Sequence, residues 1–282
     1  MDWYTIFNLP LNTVVPLPIM IVFSFIFGSC LGSFLNVCIW RIPLGESVVV
    51  VPSHCPKCNH KIRWYDNVPV IGFLALGGKC RDCKAKISPR YIIMEILVGV
   101  LFTLLALALW FAGRRVAGLA AITIMLSVAV PCAFIDAEYR KIPDKLTFFG
   151  MISSVIYLWV FPFGRRISTP QSSLLWSLAG LAAGIIGLGL FAWLTGKLMR
   201  KRTLGAGDVK YAGFLGALFG IPGLLVTLCL ASFLAIIGFT VLKICKKASD
   251  DNTVAFAPYL GIAAYIWMAA MILLPLFKLP LK

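Results

Sequence analysis

Acidic residues are scarce in this 282-residue chain: 11 aspartates and glutamates stand against 26 lysines and arginines, and charged residues make up only 13%. With 60% of the residues hydrophobic, so little charge cannot clothe a water-facing globule, which excludes a soluble core and indicates a multispanning membrane protein. Histidine is rarer still, with only His54 and His60, both beside cysteines. Neither a serine–histidine–aspartate arrangement nor a thiol–histidine pair can therefore be drawn from the apolar runs. A glycine-rich nucleotide loop between a strand and a helix is also missing. No low-complexity tract, convincing internal repeat or long linker stands out. The first apolar run follows acidic, proline-containing residues without a cleavage pattern, so it is expected to remain as a membrane helix rather than a signal peptide.

What is present is a series of apolar windows near the roughly 20 residues that a bilayer span needs. They run Pro18 to Cys38, Tyr91 to Ala112, Ala117 to Ile135, Leu146 to Phe163, Leu174 to Leu194, Val209 to Gly220, Gly223 to Leu242 and Phe256 to Leu276. This predicts an all-α polytopic fold with about eight transmembrane helices. The sixth window is short, and Ile221-Pro222-Gly223 is expected to form the turn after it. The net charge of +15 falls between the apolar runs rather than on one face, which favours topology over nucleic-acid binding. Twenty of the 26 basic residues lie in Arg41 to Arg90, Arg140 to Lys145, Lys197 to Lys210 and Lys243 to Lys247. The positive-inside rule makes these segments cytoplasmic and puts both termini outside. Arg114, Arg115, Arg165, Arg166, Lys278 and Lys282 fall on the other side.

Nine cysteines divide into two classes. Cys30, Cys38, Cys132, Cys229 and Cys245 belong to apolar surroundings and read as small packing residues. Cys55, Cys58, Cys80 and Cys83 form two C-x2-C pairs in a polar segment, the spacing of a structural zinc site. Two disulfides or a redox pair are the alternatives, and a reducing cytoplasm favours the metal. Ser47 to Val51 and Lys61 to Tyr65 are expected as short strands around the knuckles. The organisation expected is a first transmembrane helix with its N-terminal segment in 1–40, a four-cysteine zinc-binding domain in 41–90 and a polytopic membrane domain in 91–282.

Two carboxylates sit at the ends of apolar runs. Asp136 closes the third, where an acid near a helix C-terminus opposes the macrodipole and makes a poor cap. Asp208 follows Gly205-Ala206-Gly207 at the mouth of the sixth, where two absent side chains would let another backbone approach. A boundary acid paired with Arg140 or Lys141 is the plainer reading of Asp136, and a helix N-cap that of Asp208. Acids are costly at a membrane boundary unless used, so a pair of them points to an embedded site. Converging aspartates share a proton: one activates water as a base while the other polarises a carbonyl, which is aspartic proteolysis. Asp144, after Pro143, reads as the cap of the fourth helix, with support of the aspartate pair as the alternative.

Several motifs now stand in order: Phe27-Gly28, Gly32-Ser33-Phe34-Leu35-Asn36-Val37 with Arg41-Ile42-Pro43, the double cysteine knuckle, Arg90-Tyr91 with Glu95, Asp136 to Pro143-Asp144, Gly205-Ala206-Gly207-Asp208-Val209-Lys210, and Ala257-Pro258-Tyr259. From about Phe27 to Gly261 this order resembles the bacterial type IV prepilin peptidases. The resemblance implies a Gly-x-Gly-Asp membrane aspartic protease with Asp136 and Asp208 as its catalytic acids. Its substrates would be prepilins or pseudopilins, cut after a glycine at the cytoplasmic membrane surface. It also implies methylation of the new amino terminus with S-adenosylmethionine in the bacterial inner membrane. Candidates for that second activity are Gly78, Lys79, Glu95 and Asn36, each equally readable as structural. A membrane thiol–disulfide oxidoreductase using the C-x2-C pairs and a nonenzymatic assembly factor are the rival readings.

Overall fold

Apolar side chains at nearly every position leave the backbone of the long runs one way to satisfy its polar groups in lipid, which is the α-helix. The computed structural model describes residues 3–49, 52–162, 169–200, 204–245 and 254–274, and these are helical throughout apart from loops and turns. The chain forms two compact units, Met1–Val116 and Ala117–Lys282. Among the described residues, five helices are long and apolar enough to cross a membrane: Leu17–Arg41, Arg90–Phe111, Gly118–Tyr139, Pro170–Met199 and Ala206–Ile244.

The first unit opens with two short helices, α1 (Trp3–Asn8) and α2 (Leu11–Val14). They are tied to the far end of a later helix, since the Leu11 amide donates to the Arg114 carbonyl at 2.7 Å. Helix α3 (Leu17–Arg41) starts behind Pro16, with Pro18 in its first turn, where a missing N–H is harmless. The polar segment follows, holding one 3-10 turn at Trp64–Asn67 and the short helix α4 (Ile71–Ala75). Helix α5 (Arg90–Phe111) then packs antiparallel on α3. Glycine makes that contact: a Cβ at Gly28 would lie 2.8 Å from that of Phe102, and one at Gly32 would lie 2.8 Å from the Met94 carbonyl. Close backbone approach through small residues is how helices associate without a hydrophobic drive between them.

The second unit contains α6 (Gly118–Tyr139), α7 (Asp144–Val160), α8 (Pro170–Ala182), a π turn at Ala183–Gly187, α9 (Leu188–Met199), α10 (Ala206–Ile244) and α11 (Ala257–Leu273). Helices α8 and α10 touch backbone to backbone, with any Cβ at Gly180 entering the Gly216 carbonyl and the reverse also true. The Ser177 hydroxyl seals the contact by donating to the Ala217 carbonyl at 2.8 Å. Gly180→Val is therefore expected to lower stability by about 1–3 kcal/mol, the usual range for overpacking. Thermal unfolding of the purified protein in detergent would check this.

Three expectations change. Leu174 to Leu194 grows into one 30-residue run, Pro170–Met199, because the π turn absorbs a residue without ending the helix. The sixth and seventh windows are the two arms of α10, and the break between them lies at Gly220 (φ 71°, ψ −177°), one residue before the expected Ile221-Pro222-Gly223 turn. Trp267 meets Gly223, whereas Tyr259, at the other end of α11, meets Gly238, and Gly261 faces Tyr211, so the chain doubles back at the break. Third, the polar segment has no strand among the described residues; Lys61 makes a single bridge to His54, and Trp64–Asn67 is a 3-10 turn. The end of the Ser47 to Val51 expectation lies outside the described residues, as do Phe163, Arg165, Arg166, Lys201, Arg202, Thr203, Lys246, Lys247, Lys278, Lys282 and the end of the eighth window.

Candidate active site and metal centre

Asp136 lies in the last turn of α6 and is only 7% exposed. Its carbonyl accepts the Arg140 amide at 2.9 Å, and Arg140 ends the helix in the left-handed conformation. The carboxylate would be unsupported by its own helix, whose negative end is beside it. Support comes from another: Oδ2 accepts the Ala257 amide at 3.0 Å, in the first turn of α11. A helix N-terminus offers free N–H groups and the positive end of a dipole, which suits an anion. The Ala257-Pro258-Tyr259 motif acquires a physical role here. Pro258 near the start of α11 marks a helix opening in the sequence, but nothing in the sequence says which acid that opening faces.

Asp208 occupies the third position of α10 and is half-buried. Its Oδ2 accepts the Gly205 amide at 3.2 Å, so it does help to cap its helix, as the plainer reading expects. Capping and availability are compatible because Gly205 has no side chain to return. A Cβ at Gly207 would sit 2.9 Å from that of Ile142, so glycine lets the first turn of α10 close on the loop that follows Asp136. Both acids therefore lie at the same end of the second unit, Asp208 one residue past Gly207 and Asp136 six residues before Ile142. The pair has one acid buried and held by a neighbouring helix, and one half-open at a glycine-lined mouth. Below it on α10 the side chain of Tyr211 is completely buried and stacks on Phe214 with ring centres 5.8 Å apart.

Asp144 goes elsewhere. It is the first residue of α7 and makes no capping bond; the position before it is Pro143. Its Oδ2 instead meets the Nζ of Lys210 at 2.7 Å, linking the start of α7 to the turn just past Asp208.

In the first unit, Cys55, Cys58, Cys80 and Cys83 bring four sulfurs within 4.8 Å of one another, all as free thiols. Zinc held at about 2.3 Å from each of four sulfurs sets neighbouring sulfurs about 3.8 Å apart. The Cys55 and Cys83 sulfurs are 3.8 Å apart, so the donor set fits. The amides of Cys58 and then Lys57 point at the first sulfur and pull the Cys55 thiol down to about 6. Two knuckles build the cluster, and they are copies of each other. The Cys55 amide donates to His60 and that of Cys80 to Ala85; Ile62 donates to Ser53, and Ile87 to Gly78. Asn59 and Lys84 take matching left-handed conformations at φ 54° and 59°. The repeat is visible in the sequence as Cys-x-x-Cys-x-x-Lys-Ile at 55–62 and 80–87, a signal too short for a search at whole-repeat length. Arg81 clamps the second knuckle to the Trp64–Asn67 turn through both oxygens of Asp66, at 2.8 and 2.5 Å. The Arg81 hydrogen bond holds the Asp66 carboxyl below the usual carboxylate range.

The four methyl-transfer candidates are all in this unit. Gly78 turns at φ 68° against the Phe73 ring, and Lys79 begins the second knuckle by bridging to Lys86. Asn36 is buried on α3, one turn beyond Gly32. Glu95 is buried on α5, and its Oε2 accepts the Val70 amide at 2.7 Å.

Residues 26–109 match the Bacterial Peptidase A24 N-terminal domain, and residues 123–240 match the Type IV leader peptidase family. The chain is 34% identical over 272 residues to the prepilin leader peptidase/N-methyltransferase of Myxococcus xanthus, covering 93% of this chain and 76% of that protein. The chain belongs to the type IV leader peptidase family. Another relative of that description, from Klebsiella pneumoniae, is 36% identical across 74% of this chain and 90% of its own. The type 4 prepilin-like proteins leader peptide-processing enzyme of Escherichia coli O78:H11 is 31% identical across 89% and 95%. No solved structure matches. In this type IV leader peptidase the four clustered cysteines fall in the first matched segment, and Asp136 and Asp208 in the second.

Proposed function

We propose that this protein is the enzyme its relatives are named for: it removes the leader peptides of prepilins or pseudopilins and then methylates the amino terminus it has exposed. What supports the proteolytic half is that Asp136 and Asp208, 72 positions apart in the chain, end two apolar helices where the first turn of α10 closes on the loop after α6. One carboxylate takes a proton from water, whose oxygen attacks the scissile carbonyl carbon. Its protonated partner hydrogen-bonds the carbonyl oxygen as charge develops there. The intermediate then collapses, the C–N bond breaks, and the amine leaves with the proton that the base acquired. Gly205, exposed beside Asp208, adds no side chain to the approach, so an extended substrate backbone can reach the acid. A peptide bond inside a helix is hidden, so the substrate must unwind where it is cut.

The reading of eight spans takes α7 and α11, at 17 residues or about 26 Å each, as short crossings. It counts α10 as two crossings, one on each side of the break at Gly220, where the chain doubles back. With the basic segments inside, the acids open to the cytoplasm and both termini lie outside. Domain limits of 1–40, 41–90 and 91–282 complete the reading, with zinc in the second. S-Adenosylmethionine would supply an electrophilic methyl group to the new amine. Its positive charges call for a carboxylate, and Glu95 is a buried acid of the first unit, with Asn36, Gly78 and Lys79 as further candidates.

The deciding experiment incubates the purified enzyme with a prepilin and labelled S-adenosylmethionine and follows leader release and methyl transfer together. Failure to cleave would end the reading. Asp144→Asn is expected to keep cleavage within about fivefold of wild type, because a partly exposed ion pair contributes only about 0–1 kcal/mol. A loss as large as that expected for the two site aspartates would move Asp144 into the catalytic centre.

A further inference from the structure

Glu95 has a consequence for the membrane beyond catalysis. It lies five residues into α5, about 8 Å along the axis from Arg90, in a helix apolar enough to cross a membrane. Its carboxylate nevertheless holds a residue of the polar segment, Val70. Val70 opens α4 with φ 62°, a left-handed conformation that a β-branched residue hardly ever adopts. Val70 is the centre of a tight turn in which the Ile71 amide donates to the Pro69 carbonyl at 2.6 Å, and this turn frees its own amide for Glu95. The start of α4 is thereby held against the first turns of α5.

The outward side chains there are apolar. Ile71 and Leu74 on α4 are each 65% exposed on the protein surface, and Trp64 on the adjoining turn is 82% exposed. The two elements are packed together, since a Cβ at Gly72 would enter the Asp66 carbonyl. The 41–90 segment around them has nine basic residues against Glu46, Asp66 and Asp82, which complements an anionic leaflet. Its two ends are the ends of α3 and α5, which pack as an antiparallel pair.

We propose that Trp64–Ala75 is an interfacial wedge, stapled to α5 by Glu95, that rests Ile71, Leu74 and Trp64 in the headgroup–acyl boundary of anionic lipid. Short apolar elements flanked by basic residues lie about 5–10 Å deep in this zone. The inference depends on α3 and α5 crossing the bilayer and is independent of the proteolytic chemistry.

The test places a fluorescent amino acid at position 71, at position 74 or, for reference, at Lys57 on the first knuckle. The full-length protein is then reconstituted in phosphatidylethanolamine–phosphatidylglycerol vesicles. Bromine on the lipid chains should quench the probes at 71 and 74 several-fold more than that at 57, and aqueous iodide should show the opposite order. Iodide quenching at 71 and 74 equal to that at 57 would overturn the proposal. So would shielding from both quenchers, which would mean a protein partner or a second copy covers the face. Glu95→Gln keeps an acceptor oxygen and should keep the lipid quenching. Glu95→Ala should transfer the probes to the iodide-accessible class while zinc content stays unchanged, showing that the knuckles still fold. Retained lipid quenching in Glu95→Ala would remove the staple.

Discussion

Asp136→Asn and Asp208→Asn are each expected to reduce leader cleavage by roughly 10²–10⁴-fold, the contribution of a positioned acid or base. Both variants should still fold and insert. Asparagine keeps a side-chain oxygen, so the Ala257 and Gly205 amides retain their acceptors, and the loss then reports on chemistry. The double variant should be no worse than either single one, because groups that act as a unit do not add. A peptide beginning at the mature amino terminus should still be methylated by both variants, since the methyl-transfer candidates are all in the other unit. Cleavage near the wild-type rate in either variant would sink the aspartate mechanism. Loss of methylation of the pre-cut peptide would instead show that the two activities share residues.

Removing the metal is the second large effect. Exchanging Cys55, Cys58, Cys80 and Cys83 for serine together, or stripping the metal with a chelator, should unfold the knuckles. Segment 41–90 contains little that could replace it: among the described residues only Arg41, Cys55 and Gly72 are buried. Structural zinc in small knuckles is worth about 10–16 kcal/mol of apparent binding energy, more than a segment of this size gains from its own contacts. Limited proteolysis should then cut between Arg41 and Arg90 in the stripped protein and not in the loaded one, which should contain one zinc per chain. Acidification should release the metal, because protons compete for the thiolates. Unchanged proteolysis after stripping would rule out a structural metal.

Much of the site was legible because its signals are local. An acid at the end of an apolar run is costly wherever the run packs, so Asp136 and Asp208 stood out without coordinates. The two C-x2-C pairs were as clear, because each knuckle makes its own turn and needs no partner to be recognised. Asp144 misled for the opposite reason: its position beside Pro143 suggests a cap, but Lys210, 66 positions away, takes its carboxylate. The strand expected at Lys61 to Tyr65 did not form because the left-handed turn at Asn59 closes its loop after the single bridging pair of His54 and Lys61.

The chain alone determined that this is a helical membrane protein with a cytoplasm-compatible thiolate cluster and two boundary aspartates, because hydropathy, charge count and C-x2-C spacing act over a few residues at a time. Only the tertiary structure decided which groups those residues meet: the first turn of α11 at Asp136, a bare glycine turn at Asp208, and Glu95 holding Val70. Such contacts depend on helix packing through glycines such as Gly180, Gly207 and Gly216, where the sequence shows the missing side chain and only the packed helices show which group comes close.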